Sequence, residues 1–406
     1  MITPALSFDF TSAVLDPLIT FTRSGATATR VNASGYIEAV AADVARFNFN
    51  PVTLACRGLL VEETRQNLCP YSNQFDQLGT SFWIPARAMV SATAGTSPDG
   101  TNNAFALFET AVSGTHNVTQ SIATVGGTTY TGSMYVKANG RSWALLQLVG
   151  STVFPSVNIN LTTGALGTIN GTATATVANA GNGWWRVTIT AATDAASTQL
   201  RIYASTGDNA TSYLGDVTKG ILMYGAQLEI GAFATSYIPN VGNVKNTRNA
   251  DVATITGTNF SDWWQAGFGG ATVQALPSIV SSIRPLIQFD DGTANEIITL
   301  RGNTTNPELY IVDGGTPQAQ IDAGTIAANT AYSLTGWWQT NFCAARKDNG
   351  ARVEDLTATI PTVTQARLGS DGTNYLNGHL ATINYYDQFS GQIYTRRKNK
   401  VIFTVI

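Results

Sequence analysis

GILMYGAQLEIGAFATSYIPN, Gly220–Asn240, is the stretch whose reading decides the fold. Its side chains alternate, with Ile221, Met223, Gly225, Gln227 and Glu229 on one face and Leu222, Tyr224, Ala226, Leu228 and Ile230 on the other. A period of two predicts a half-buried β-strand. Gly231 ends that strand, and Thr235-Ser236-Tyr237-Ile238-Pro239 runs on in extended form into a proline. Working outward, short strand-like runs separated by glycine and asparagine turns lie on both sides. The chain therefore divides into one β-rich body before this stretch and another after it.

Length and composition agree with that division. A chain of 406 residues is long enough for two or three domains, each with a core of its own. Charged residues make up 12% of it, against roughly 25% in ordinary soluble domains, while 44% is hydrophobic. That balance excludes a long disordered tract. A net charge of −3 argues against a nucleic-acid partner, which requires a basic surface. No apolar run reaches the ~18 residues of a membrane span. The start, MITPALSFDF, lacks a basic leader and meets Asp9 early, so no export signal is expected.

In chain order, residues 1–75 form an irregular opening segment, 76–240 the first body, 241–250 (VGNVKNTRNA) a polar linker and 251–406 the second body. The first body offers eight strand-like runs, from Ala104–Glu109 to Gly220–Glu229, which suit a two-sheet jelly roll. The second offers a similar series, from Ala271–Leu276 to His379–Asp387. No helix longer than two or three turns is expected. The fold class is all-β: two β-sandwiches in tandem behind an extended N-terminal segment.

Several phrases resemble those of tailed-phage virion proteins, namely tail fibres, tail-tip proteins and head spikes or decorations. In the opening segment they are Asp16-Pro17, Thr20–Arg23 (TFTR), Ala33–Ile37 (ASGYI), Ala45–Phe47 before Asn50-Pro51, and Gly58–Leu68 (GLLVEETRQNL). In the first body, GTTYTGSMYVKA, NGWWRVTIT and GAQLEIGAFATSYIP resemble carbohydrate-binding-module-like jelly rolls of phage fibres. In the second, DDGTANEIITLR, YIVDGG and LNGHLATINYY resemble concanavalin-A- and laminin-G-like sandwiches. The resemblance implies a virion protein assembled in the host cytoplasm and displayed on the particle. It would be a homo-oligomer, trimeric by analogy, partnered by other phage structural proteins and by host surface polysaccharide. An opening segment that attaches to or wraps the virion follows from the same likeness. The C-terminus departs from the pattern. A basic run, Arg396, Arg397, Lys398 and Lys400, precedes an apolar tail, Val401–Ile406, where a short amphipathic helix is usual. That run and tail are a candidate virion or subunit contact, a bare apolar edge otherwise inviting aggregation.

Few residues offer chemistry. His116 and His379 fall in separate bodies with no nucleophile beside them, and no phosphate loop, zinc helix or EF-hand is present. Cys56, Cys69 and Cys343 lack metal spacing, and whether Cys56 and Cys69 pair stays open. Glu62 and Glu63 are neighbours in a strand and point to opposite faces, which favours ion pairs with Arg57 or Arg65 over a catalytic pair. Catalysis and resident cofactors are therefore not expected. Polysaccharide depolymerisation is the enzymatic alternative, with Glu296, Glu308 and Asp313 as its carboxylates. Capsid cement is the purely structural one.

Six of the eight tryptophans come in adjacent pairs, 184–185, 263–264 and 337–338. In a strand one member of each pair faces outward, and an outward aromatic face stacks on sugar rings. Trp185, Trp264, Trp338, Tyr385 and Tyr386 are thus the candidate carbohydrate-binding residues. Packing under a loop or at a protomer interface is the competing explanation. Asp290 and Asp291, in an Asp-Asp-Gly turn, are the candidate ligands of a structural Ca²⁺, which jelly rolls of this kind often hold. Ordinary turn chemistry accounts for them as well.

Overall fold

The computed structural model of the protein describes residues 3–388 except 26, 78, 80 and 81, and the backbone of 392–397 and 400–405. Among the described residues it is all-β with its strand pairs antiparallel, and helix is confined to a 3₁₀ turn at Phe10–Ser12 and a single α-turn at Thr258–Ser261. Two sandwiches account for most of it.

The first sandwich packs a six-stranded sheet on a seven-stranded one. The six-stranded sheet runs Thr174–Asn179, Trp185–Ala192, Thr129–Asn139, Gly220–Ile230, Phe105–Glu109, Ala88–Ser91. Val118, Met134, Leu146, Val187, Leu200 and Leu228 lie among the side chains between the sheets, all fully buried. The strand Gly220–Ile230 is buried on both faces rather than one. Its alternation also breaks midway. Ser133 pairs with Gln227 but Tyr135 with Tyr224, so Met134 faces two residues, Gly225 and Ala226. This bulge sits at Gly225, whose φ of +60° a side chain disfavours. Ile221 and Met223 therefore share the core with Ala226 and Leu228, while Gln227 and Glu229 join the opposite face.

On that face the chain folds back over its own strand. Gln227 Oε1 accepts from the Ile238 amide at 2.7 Å, and Glu229 accepts from the amide and hydroxyl of Thr235. Tyr135, Tyr224 and Tyr237 pack there with Trp184 and with Ile37 of the hairpin Ala28–Val31/Ile37–Val40. The outer surface of the sheet is thus closed at its centre and open toward the strands Thr174–Asn179 and Trp185–Ala192.

The second sandwich is built from both ends of the sequence. One sheet orders Val353–Asp355, Phe342–Lys347, Tyr332–Gln339, Phe268–Pro277 and Gly378–Tyr386, then takes in Cys56–Val61 and Phe47–Phe49. Leu6–Asp9 pairs with Gly378–Tyr386 as well. The other sheet receives Thr20–Thr22 beside Val252–Thr256. Phe8, Phe10, Leu59 and Val61 share one core with Val273, Leu300 and Ile383. The opening segment therefore completes the second sandwich while its hairpin covers the first. The run 241–250 is tied down too, since Thr247–Arg248 pairs with Arg65–Gln66. At the C-terminus Gln392–Arg397 and Lys400–Val405 form a hairpin that pairs with no other described strand.

Candidate functional site

Where the opening segment, the return 232–240 and the two sandwiches meet, charged side chains are buried together. Arg46 Nη1 lies 2.8 Å from Glu62 Oε2, and Arg248 Nη1 3.1 Å from the same oxygen. Asp251 pairs with Arg46 and, at 3.1 Å, with Arg23. All five side chains are buried. Glu62 also accepts from the amide and hydroxyl of Ser236, at 2.8 and 2.7 Å. Burial alone would raise its pKa, but Arg248, Arg46 and Ser236 outweigh that and hold it well below the usual carboxylate range. Of the ion pairs expected for the glutamates, Glu63–Arg65 forms at 2.7 Å. Glu62 pairs instead with arginines 16 and 186 residues away in sequence.

Beside this junction opens a cleft of about 830 Å³. One wall is the open end of the six-stranded sheet, where Thr174, Thr176, Thr188 and Thr190 point outward because Ala175, Val177, Val187 and Ile189 point into the core. Two hydroxyls there pair with each other, Thr176 Oγ1 to Thr188 Oγ1 at 2.6 Å. The facing wall is Asn48, Asn50 and Arg57 of the opening segment with Ser278, Asn329 and His379 of the second sandwich.

Arg57 reaches the cleft through a second bulge. Asn48 pairs with Gly58 and Phe49 with Cys56, which leaves Arg57 as the extra residue of its strand. Gly58 is required beside it: at φ +102°, a Cβ there would sit 2.0 Å from the Leu380 carbonyl oxygen. Arg57 is half-buried, and among the described residues it makes no hydrogen bond, ion pair or ring contact. Burial pulls its pKa down, with no carboxylate to restore it.

His379 lies in the sheet behind, opposite Leu60 on one side and Leu276 on the other. Asn48 Oδ1 accepts from the Val31 amide, so its Nδ2 donates to His379 Nε2 at 2.9 Å. Nε2 is then the acceptor and Nδ1 carries the proton, directed to the Leu276 backbone without completing a hydrogen bond. Burial, then the nearby charge of Arg57, pushes the pKa of His379 down to about 3. Its partner is thus remote in sequence.

The aromatic candidates fall elsewhere. Trp338 and Tyr385 are fully buried in the second core, which corrects their expected outward position. Alternation does hold at 337–338, but Trp337 is the outer member, and Arg346 lies 5.6 Å from its ring. Trp264 follows the helical turn rather than a strand, so alternation does not apply. It packs on Phe260, Phe289 and Tyr385 at 4.7–5.2 Å. Trp185 lies on the core face of its strand with Val187 and Ile189 rather than outward, and its indole donates to the Leu161 carbonyl at 2.9 Å and lies against Gly164. That is packing under a loop. Tyr386 stays partly exposed at the end of its strand. These residues form no common platform, and the aromatic side chain on the cleft wall is Phe233, with Arg65 stacked on it at 4.7 Å.

Asp290 and Asp291 do not converge on an ion site. Asp290 is buried and its oxygens accept from Gln288, Gly292, Gln365 and, at 2.9 Å, from Arg367. Asp291 is exposed and caps its own turn through Thr293. No three potential metal-ligating side chains cluster among the described residues. Glu308 is spent on Arg301 at 2.8 Å, Glu296 on the Gly314 amide and Asp313 on Thr359, so the carboxylates considered for hydrolysis do not stand free across a groove. All three cysteines are free thiols. In the basic run, Arg396, Arg397 and Lys400 lie on the terminal hairpin, and Lys398 falls outside the described residues.

A smaller recess of about 450 Å³ is lined by Asp99, Asn103 and Tyr224. Its carboxylate is already saturated by Ser97, Thr101, Asn103 and Tyr224. The larger cleft is the better site.

Neither a protein-family model nor a curated protein matches the chain. Among solved structures it is similar to the LG1-3 region of the laminin alpha2 chain, at 9% identity over 67% of this chain and 64% of that one, with a TM-score of 0.25. It is also similar to LG4-5 of mouse laminin alpha1, at 9% over 78% and 90%, TM-score 0.23. A third is the CBM22-1–CBM22-2 tandem of Paenibacillus barcinonensis Xyn10C, at 9% over 80% and 99%, TM-score 0.27. The chain thus spans just under two thirds of the laminin alpha2 region. At such TM-scores none of these likenesses carries a ligand or an origin over to this chain.

Proposed function

We propose that this chain is a non-enzymatic, carbohydrate-binding surface protein of a tailed-phage virion, as a head spike, decoration or tail fibre. One observation carries the binding half: an open cleft of about 830 Å³ walled by hydroxyl and amide side chains from three separate parts of the chain. Its volume falls within the range of small-molecule sites, and its donors and acceptors suit the hydroxyls of a saccharide. Its carboxylate, Glu62, is held between two arginines and cannot act as an acid. This supports binding without cleavage. The absence of a free aromatic platform shifts recognition from ring stacking to hydrogen bonding, individually weak and made useful by repetition in an oligomer.

The virion assignment rests on the sequence phrases of the opening segment and of the two bodies. The terminal hairpin supports an oligomer, because an isolated two-stranded ribbon is marginal in water and gains stability against a neighbour. A trimer is the form proposed, with Arg396, Arg397, Lys398 and Lys400 at or near the contact.

The test is retention of the full chain on surface polysaccharides of candidate hosts, with sizing of the recovered polymer. Retention of unshortened polymer is expected. Shortened product would overturn the non-enzymatic reading, and no retention on any polymer would leave a cement role between virion proteins.

A further inference from the structure

The charged side chains on the wall of the cleft are Arg57, Arg186 and Glu62. Glu62 is neutralised from behind by Arg46 and Arg248. Arg186 donates to the Thr235 carbonyl at 2.7 Å and to the Ser133 hydroxyl at 3.0 Å, lies over Tyr135, and meets no carboxylate among the described residues. Arg57 makes no side-chain hydrogen bond or ion pair among the described residues. The cleft is therefore net positive in a chain whose overall charge is −3.

A half-buried guanidinium without a counter-ion is costly, and folding normally removes it by pairing. Here pairing was within reach of the sequence: Glu62 and Glu63 lie five and six residues on. Both are committed to other arginines, Glu62 to Arg46 and Arg248, Glu63 to Arg65 and Arg284. The bulge meanwhile turns Arg57 away from them into the open volume. The planar fork of an arginine matches a carboxylate or phosphate with two parallel hydrogen bonds, which a neutral sugar cannot offer.

We infer that the cleft takes an anionic saccharide, with a carboxylate or phosphate of one sugar unit docked on Arg57 and its hydroxyls on Thr174, Thr190 and Asn50. This rests on the reading of the cleft as a glycan site and names the class of glycan. Neutral His379 leaves Arg57 as the charged contact on its wall. Arg186 adds positive field across the cleft without a direct bond.

The experiment is titration calorimetry of the full chain at constant ionic strength with polygalacturonate, alginate and a phosphomannan. Each is paired with its neutral counterpart, carboxyl-reduced or dephosphorylated. At least one anionic polymer is expected to bind about ten- to a hundredfold more tightly than its counterpart, the range of a charged hydrogen-bonded pair. Preference for the uronates or for the phosphomannan identifies the anion. R57Q is expected to lose that preference and bind both members of the pair at the neutral level, while R57K, which keeps the charge and loses the fork, retains part of it. Equal binding of charged and neutral polymers, or an R57Q protein that keeps the preference, overturns the inference and leaves glycan binding standing. Absence of binding to every polymer, charged and neutral, overturns both.

Discussion

Two neighbouring regions of this protein use arginine in opposite ways. At the junction, Arg23, Arg46 and Arg248 are buried and share Glu62 and Asp251. In the cleft beside it, Arg57 and Arg186 pair with no carboxylate among the described residues. The first arrangement ties the opening segment, the return 232–240 and the start of the second sandwich into one piece. The second leaves charge available. What separates them is not residue type but the backbone that delivers it: Glu62, just past the strand Cys56–Val61, is tied inward through its amide to Asp251, and a bulge carries Arg57 out. Stability and binding capacity are thus built from the same side chain within one short segment.

The sharpest way to break this contrast is to remove an acid from the junction. Asp251→Ala leaves buried Arg23 without its carboxylate and Arg46 with Glu62 alone, and a loss of about 3–5 kcal/mol is expected, because the uncompensated charge cannot be rehydrated. Denaturant unfolding with the full chain measures it. A loss below 1 kcal/mol would mean that water reaches the junction and that its burial is not what holds the segments together.

A smaller effect is expected at Gly225. Alanine there meets a left-handed φ of +60° and ring carbons of Tyr135 and Tyr237 at 3.1–3.3 Å. A cost of about 1–2 kcal/mol follows from the backbone term. The bulge also presents Gln227 and Glu229 to the return that carries Ser236 to Glu62, so hydrogen exchange at 235–238 should rise in the variant. Unchanged protection there would uncouple the bulge from the junction.

The sandwiches, the lack of long helices and the pivotal strand Gly220–Ile230 are legible from period-two patterning and turn residues. The Glu63–Arg65 pair is legible too, since its partners are adjacent. The junction is not. Arg46, Glu62, Arg248 and Asp251 are brought together across some 200 residues, and nothing local marks their meeting. The face switch at Gly225 hides for a different reason: one glycine in a strand signals a bulge only to a reader willing to abandon alternation. The same holds for Arg57, whose signal is the glycine that follows it. The tryptophan pairs mislead because alternation fixes that one member of 337–338 faces out but not which, and because 263–264 follows a helical turn and lies in no strand.

Acid titration sharpens the comparison at the boundary between the two regions. His379 faces Asn48, with Arg57, Arg46 and Glu62 as the charges around it. Its pKa is about 3 when folded, against about 6.5 when unfolded. Between these values the unfolded chain binds the extra proton, so stability is full above pH 6.5 and falls as pH drops toward 3. Over pH 6.5 to 5, before most carboxylates titrate, the expected loss is about 1–2 kcal/mol. Glu62 acts lower: its depressed pKa makes its contribution full above the unfolded carboxylate value of about 4.3 and lost below it. H379Q should flatten the upper interval and spare the lower one. A wild-type curve that is flat from 6.5 to 5 would show that the imidazole is hydrated.

The smallest expected effect is the most discriminating. Arg57 has no partner to lose among the described residues, so R57Q should change unfolding free energy by no more than about 0.5 kcal/mol, the range of substitutions away from packed features. The sign is also defined. Relief of an uncompensated, half-buried charge favours the folded state slightly, whereas Arg46→Gln, only eleven residues earlier, opens the junction and should cost several times more in the opposite direction. Parallel denaturant curves for the two variants settle the matter. If R57Q is as damaging as its junction counterpart, Arg57 is a structural residue and the cleft has no spare charge. If it is neutral or stabilising, the guanidinium is held in the cleft at no benefit to the fold, which is the condition a binding residue has to meet.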